Sequence, residues 1–196
     1  GYAKRFYKFL EEIEDGKAFL EKIKPKSDRN GAAMRAYPLG VLGDEKEIIE
    51  KCNIQSEVTH QTEKALIAAQ AIALASHYFF YKKGKQSTLI AYLQDIQGRK
   101  WEAGRSGQVN VDALETVEAV LTLLVRENTL QAILKKSVDF GGDVDTVASL
   151  SLAIGQMSQE IENDLPSWLY DELENGKYGS AYLKELDQAL MKLKRY

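Results

Sequence analysis

The chain has 196 residues, 44% hydrophobic and 28% charged, which suits one soluble globular domain and excludes a disordered or fibrous chain. Its 26 Lys and Arg against 29 Asp and Glu give a formal charge of −3, with no basic stripe for a phosphate backbone, so nucleic acid is excluded as the expected partner. The lone Cys52 cannot form an internal disulfide, which fits a reducing cytoplasm, and the amphipathic start lacks the apolar core of a signal peptide.

Phe6, Phe9, Leu10 and Ile13 recur three and four apart, the spacing of an apolar stripe on a helix, and Pro25 ends this first helical region. A polar loop over 24–30 follows. The next pattern predicts a helix over about 56–82, roughly 40 Å long at 1.5 Å per residue. Through 65–75 it is apolar on most sides, so neighbouring helices must cover it and it should be central. The apolar run over 65–80 is interrupted by Gln70 and His77 and is shorter than the ~20 residues of a membrane helix, so no membrane partner is expected. His77, inside this run, is expected to be a core residue. Gly84 ends the helix.

Gln108-Val109-Asn110-Val111 alternates in polarity but is too short to count as a strand. Further helical stripes are Leu114, Val117, Leu121 and Leu124; Leu130, Ile133, Leu134 and Val138; and Val147, Leu150, Ile154 and Met157. Asn175-Gly176 stops the helix after Trp168, and Ser180 can cap a last helix carrying Leu183, Leu186, Leu190 and Leu193. No linker or repeat divides the chain, which reads as one all-α domain.

Gly141-Gly142-Asp143-Val144-Asp145-Thr146 opens the helix with Val147 and Leu150. Two readings are open. Asp143 can be an N-cap that accepts backbone N–H bonds, with Asp145 favoured by the positive helix end. Alternatively, two carboxylates and a hydroxyl within four residues are oxygen ligands for a hard cation such as Mg²⁺. Asp143 and Thr146 share a side of the helix and Asp145 is rotated away, so they can reach two neighbouring ions. The helix end itself repels cations, so metal binding here needs more carboxylates from elsewhere.

This segment resembles the Gly-Gly-Asp-Thr-Asp-Thr signature of ADP-ribosylglycohydrolases of the dinitrogenase reductase-activating type. Ser27-Asp28-Arg29-Asn30-Gly31-Ala32-Ala33-Met34-Arg35 is similar to that family's Gly-Asn-Gly-(Ala/Ser)-(Ala/Leu)-Met-Arg loop, with Arg29 where Gly is usual. Thr59-His60 matches a Thr-His pair. Ala113-Leu114-Glu115-Thr116-Val117 and Leu165-Pro166-Ser167-Trp168 resemble softer family segments, and Gly1-Tyr2-Ala3-Lys4-Arg5-Phe6 resembles a Gly-Tyr-Gly-x-x-Phe start. The order of the matches spans roughly residues 1 to 172.

The resemblance implies a compact single-domain orthogonal helical bundle. It implies Mg²⁺-dependent hydrolysis of the glycosidic bond joining ADP-ribose to a protein side chain or another small conjugate. Asp143, Asp145 and Thr146 would then be ligands of a two-ion Mg²⁺ site, and Ser27, Asn30, Gly31, Met34 and His60 would bind the substrate. No residue is assigned as the general base. The family's Thr-Asp-Asp-Thr segment, which carries the other metal ligands, has no counterpart here. Glu11-Glu12, Asp44-Glu45 and Asp171-Glu172 lack that form and read as solvated faces. The expectation is therefore an N-terminally incomplete domain over 1–196, completed by a separate N-terminal fragment or chain. The rival expectation is a catalytically inactive ADP-ribose-binding or structural homologue.

Overall fold

Eleven α-helices and two short 3₁₀ segments form the regular structure of residues 4–194, the part described by this computed structural model. No strand occurs among the described residues; four isolated backbone bridges tie loops together instead. The all-α expectation holds. Gly1-Tyr2-Ala3, the start of the first family-like segment, lies outside the described residues.

The N-terminal helical region is two helices, α1 (Lys4–Glu11) and α2 (Gly16–Lys22), because Asp15 caps the second through a 2.7 Å bond from the Ala18 N–H. The short α3 (Gly31–Met34) leads through a 3₁₀ segment, Tyr37–Val41, to α4 (Glu45–Glu57), which Asp44 caps. The long helix is shorter than its hydrophobic pattern predicts. Ser56 belongs to the end of α4, and α5 (Glu63–Phe80) starts after Thr62, whose hydroxyl accepts the Ala65 N–H. The break between them holds Thr59 and His60.

Helix α5 is the central element. Ile72, Leu74 and six alanines along it are buried. Small side chains let α3, α4, α6 (Leu89–Gln97), α7 (Ala113–Arg126) and α9 (Val144–Gly155) approach it closely, while each larger residue such as Leu74 contributes about 2 kcal/mol by its burial. His77 is fully buried, as its place in the run predicts; its Nδ1 lies 3.2 Å from the Gly40 carbonyl oxygen. Glu45 is not on a solvated face. Its carboxylate accepts from Lys83 at 2.7 Å and from the Tyr92 hydroxyl at 3.2 Å.

α8 (Leu130–Asp139) packs on α9, burying Leu130 and Ile133, but Val138 of the same stripe is exposed. α10 is a single turn, Trp168–Asp171, that ends before Asn175-Gly176. In α11 (Ser180–Met191) the N-cap is Gly179, not Ser180, and no residue is buried: Leu183 and Leu186 face outward. A stripe at helical spacing reports amphipathicity, and burial follows only where a neighbour covers it.

Candidate functional site

Two stretches far apart in sequence meet at the start of α9, and a third packs against the first of them. The first is the loop before α3. Its backbone is anchored to the entry of α7, with Asn30 N–H donating to the Val111 carbonyl at 3.0 Å and Ala113 N–H to the Asp28 carbonyl at 3.0 Å. The second is the segment before α9. Val109 N–H donates to the Gly141 carbonyl at 3.2 Å and Asp143 N–H returns to the Val109 carbonyl at 2.8 Å, so the alternating tetrapeptide 108–111 supplies a one-residue bridge rather than a strand. Gly141 and Gly142 sit at φ of 71° and 80°, the left-handed region that side chains disfavour. A Cβ on Gly142 would also overlap the Val109 carbonyl oxygen. The glycine pair is thus required by the turn that presents Asp143.

Asp143 stands at the N-cap position of α9 yet makes no capping bond from its side chain. Its ψ of 53° departs from the extended cap conformation, and the carboxylate turns to Asn30 instead. Asn30 Nδ2 donates to Asp143 Oδ2 at 2.6 Å and to the Thr116 hydroxyl oxygen at 2.9 Å. Thr116 in turn donates to the Asp112 carbonyl at 2.9 Å. Both amide protons of Asn30 are used, its orientation is set, and its Oδ1 has no donor among the described residues. Asn30 is 5% exposed, so its bond to a carboxylate is made in a partly dry setting, where charge-assisted bonds are strongest.

The buried Thr146 lies one turn along α9, with its hydroxyl 3.7 Å from Met34 Sδ, so Met34 spans the two segments while much of its side chain stays exposed. Asp145 is exposed, and its carboxylate has no hydrogen-bond partner among the described residues. Ser27 sits at the outer end of the loop. Its hydroxyl accepts the Arg29 N–H at 3.3 Å and its carbonyl accepts from Thr62 at 3.3 Å, so it shapes the loop.

The third stretch is the break between α4 and α5. Its backbone bridges the Asn30 loop, with Gln61 N–H donating to the Pro25 carbonyl at 2.6 Å. A Cβ on Gly31 would come within 3.1 Å of His60 Cε1 and 3.2 Å of Nε2, so the imidazole rests against the glycine. Burial, followed by the nearby Arg35 charge, pushes the His60 pKa down to about 4, and the ring is neutral at pH 7. Among the described residues Arg35 makes no salt bridge and donates instead to the Gly31 carbonyl, Gln55 Oε1, the Gln55 carbonyl and the Thr59 hydroxyl, which pins α3 to the end of α4.

Asp112 and Thr116 were missing from the expected set. Asp112 caps α7 through the Leu114 and Glu115 N–H groups and pairs with Lys64. Burial raises its pKa, but the bonds from Lys64 and from the backbone outweigh this and hold it below the usual carboxylate range. The signal for Asp112 was its place ahead of the Leu114 stripe, a helix-start position. Thr116 carried none beyond the soft match of its segment.

An open cleft is lined by Val109, Asn110, Val111, Gly142 and Asp143. The carboxylates of Asp143 and Asp145, the Thr146 hydroxyl and Asn30 Oδ1 are hard oxygen donors, matching Mg²⁺ in kind and suited to accept from sugar hydroxyls. In number they fall short of a two-ion clamp, since no group of three or more His, Cys, Asp or Glu converges among the described residues.

The sequence profile of the ADP-ribosylglycohydrolases matches residues 3–195. The curated ADP-ribosyl-(dinitrogen reductase) glycohydrolase of Rhodospirillum rubrum is 25% identical over 149 residues, 71% of this chain and 49% of the relative, so the chain spans about half that protein's length. The profile runs through the Asn30 loop, Thr59-His60 and the Gly141 turn alike, and this chain belongs to the ADP-ribosylglycohydrolase family.

Proposed function

We propose that the chain carries the nucleotide-sugar half of a glycoside hydrolase that removes ADP-ribose from a protein side chain or a small conjugate. The observation that supports this reading best is the Asn30–Asp143 bond, which joins two family-like segments beside the cleft that Asp143 lines. In this reading Asn30, Gly31 and His60 bind the ADP-ribose. Asn30 Oδ1 accepts from a sugar hydroxyl, and the absence of a side chain at Gly31 leaves room for the His60 ring beside it. Met34, which lies against Thr146, would touch the ligand, and Ser27 would keep the loop in shape.

Asp143, Asp145 and Thr146 would hold Mg²⁺, two ions in the complete site, together with carboxylates from outside the described residues. Bound there, Mg²⁺ would polarise the ribose hydroxyls and lower the pKa of a water at the glycosidic carbon. The remaining ligands and the general base would come from a separate segment or chain. The unpaired, buried Cys52, whose thiol burial raises to about 11, suits a reducing cytoplasm. No helix among the described residues is long and apolar enough to cross a membrane.

A second reading is an ADP-ribose-binding homologue without hydrolysis, favoured by the small number of converging carboxylates. Release of ADP-ribose from a modified protein, assayed with Mg²⁺, divides the two. The enzyme reading requires release by the wild-type chain together with whatever segment completes the ligand set, and loss of that release in a folded Asp145→Ala variant.

A further inference from the structure

The side chains of Arg35, Thr59 and His60 form an ordered relay whose direction can be worked out from their donors and acceptors. Arg35 Nη2 donates to Thr59 Oγ1 at 2.8 Å, and Thr59 Oγ1 lies 2.7 Å from His60 Nδ1. A guanidinium only donates, so the threonine oxygen accepts from it. The hydroxyl proton then needs an acceptor, and Nδ1 is the one protein atom within reach among the described residues. A cationic donor on the oxygen also polarises the hydroxyl, making it a better donor and a poorer acceptor toward the ring.

Arg35 is itself held by three further bonds, at 2.6 Å to Gln55 Oε1, 3.0 Å to the Gln55 carbonyl and 2.9 Å to the Gly31 carbonyl. Guanidinium, hydroxyl and imidazole are therefore fixed in one line. With Nδ1 occupied as an acceptor, the ring proton belongs on Nε2. Nε2 lies against Gly31 at the site and has no protein acceptor among the described residues.

Resting on the functional reading above, we infer that Arg35 is a positioning residue. Through Thr59 it sets His60 as the Nε2–H tautomer, a single aimed donor for a hydroxyl or phosphate oxygen of the nucleotide sugar. Arg35 does not touch the ligand. A histidine set this way discriminates by hydrogen-bond direction: it donates to an oxygen acceptor and offers no lone pair on the ligand side. The glycine at position 31 completes the device, since a side chain there would push into the ring edge.

The chain has two histidines, so long-range ¹H–¹⁵N spectra of the imidazoles are simple to assign, with a His60→Gln variant identifying the His60 signals. The wild-type protein is expected to show a protonated Nε2 and an unprotonated, hydrogen-bonded Nδ1 at neutral pH. In Thr59→Val and in Arg35→Met the Nδ1 resonance should move toward that of a free, tautomer-averaging imidazole, and Thr59→Ser should restore the wild-type signal. Titration with ADP-ribose should give roughly ten-fold weaker binding in Thr59→Val and no change in Thr59→Ser, the size expected for one misdirected hydrogen bond. A protonated Nδ1 in the wild type, or an unmoved Nδ1 in both variants, would overturn the relay. Failure of the wild type to bind ADP-ribose would overturn the functional reading instead, and the imidazole spectra would still decide the relay.

Discussion

Asn30 and Asp143, 113 residues apart in the chain, meet through a 2.6 Å hydrogen bond beside the cleft that Asp143 lines. That bond turns a would-be helix cap into a presented carboxylate. Asn30→Ala leaves the Thr116 oxygen and the Asp143 carboxylate without their donor, and should cost about 1–3 kcal/mol of stability. Asn30→Asp should be worse at pH 7, because it sets a second carboxylate against the first. Its deficit relative to wild type should shrink as the pH falls and one of the two acids takes a proton. Urea unfolding of both variants at pH 7 and pH 4.5 measures this.

Gly142→Ala tests the turn. The residue sits at φ 80°, and its new Cβ would overlap the Val109 carbonyl oxygen that accepts the Asp143 N–H. The strained conformation alone costs about 1–2 kcal/mol, and relief of the overlap must break the Val109 bridge. Thermal unfolding should register the loss. Gly141→Ala, with open space around its Cβ, should show the conformational cost without the overlap and so fall less.

Asp145 should behave in the opposite way. Its carboxylate is exposed and without a partner among the described residues, so Asp145→Ala should change stability by less than about 0.5 kcal/mol. Its effect should appear in metal-dependent chemistry alone. For the same reason the 196-residue chain by itself should bind Mg²⁺ weakly, because three protein ligands cannot clamp two ions. Calorimetry showing tight binding of two ions would contradict the half-site description.

Acid should destabilise the protein through its histidines. Burial lowers the His60 pKa to about 4, and burial also lowers that of His77, which is only partly offset by the Gly40 carbonyl. Arg35 is the charged group that faces His60, and Lys83 and Glu45 face His77. A depressed histidine pKa means that the unfolded chain takes up protons first as the pH drops below about 6.5. Stability from this source is therefore complete above pH 6.5 and is lost as the pH falls from there toward 4. Melting temperatures across that window should decline in the wild type, and His60→Gln should flatten part of the decline.

Helix content and the central place of α5 were legible in the sequence because apolar spacing reports directly on which faces can be buried. The break at Thr59-His60 was not, since Ser56 and Lys82 bracket one continuous helical composition and only the Thr62 cap marks the true start of α5. The exposed leucines of α11 show the same limit from the other side. At the site, residue identities were legible from short motifs, but their partners were not. Nothing local to Asp143 reports a bond to Asn30, and nothing local to Arg35 reports that its charge braces Gln55 and Thr59. Such pairings depend on loop closure over tens of residues, and only the packed helices define them.

The central claim is that the Asn30 loop, His60 and the Gly141 turn form one site for ADP-ribose. Amide chemical-shift mapping of the ¹⁵N-labelled chain during an ADP-ribose titration tests it most directly. Saturable shifts should concentrate at Gly31, His60, Val109, Gly142 and Asp143, and should be lost in Asn30→Ala while its spectrum stays dispersed. Shifts confined to other surfaces, or none at millimolar ADP-ribose, would contradict it.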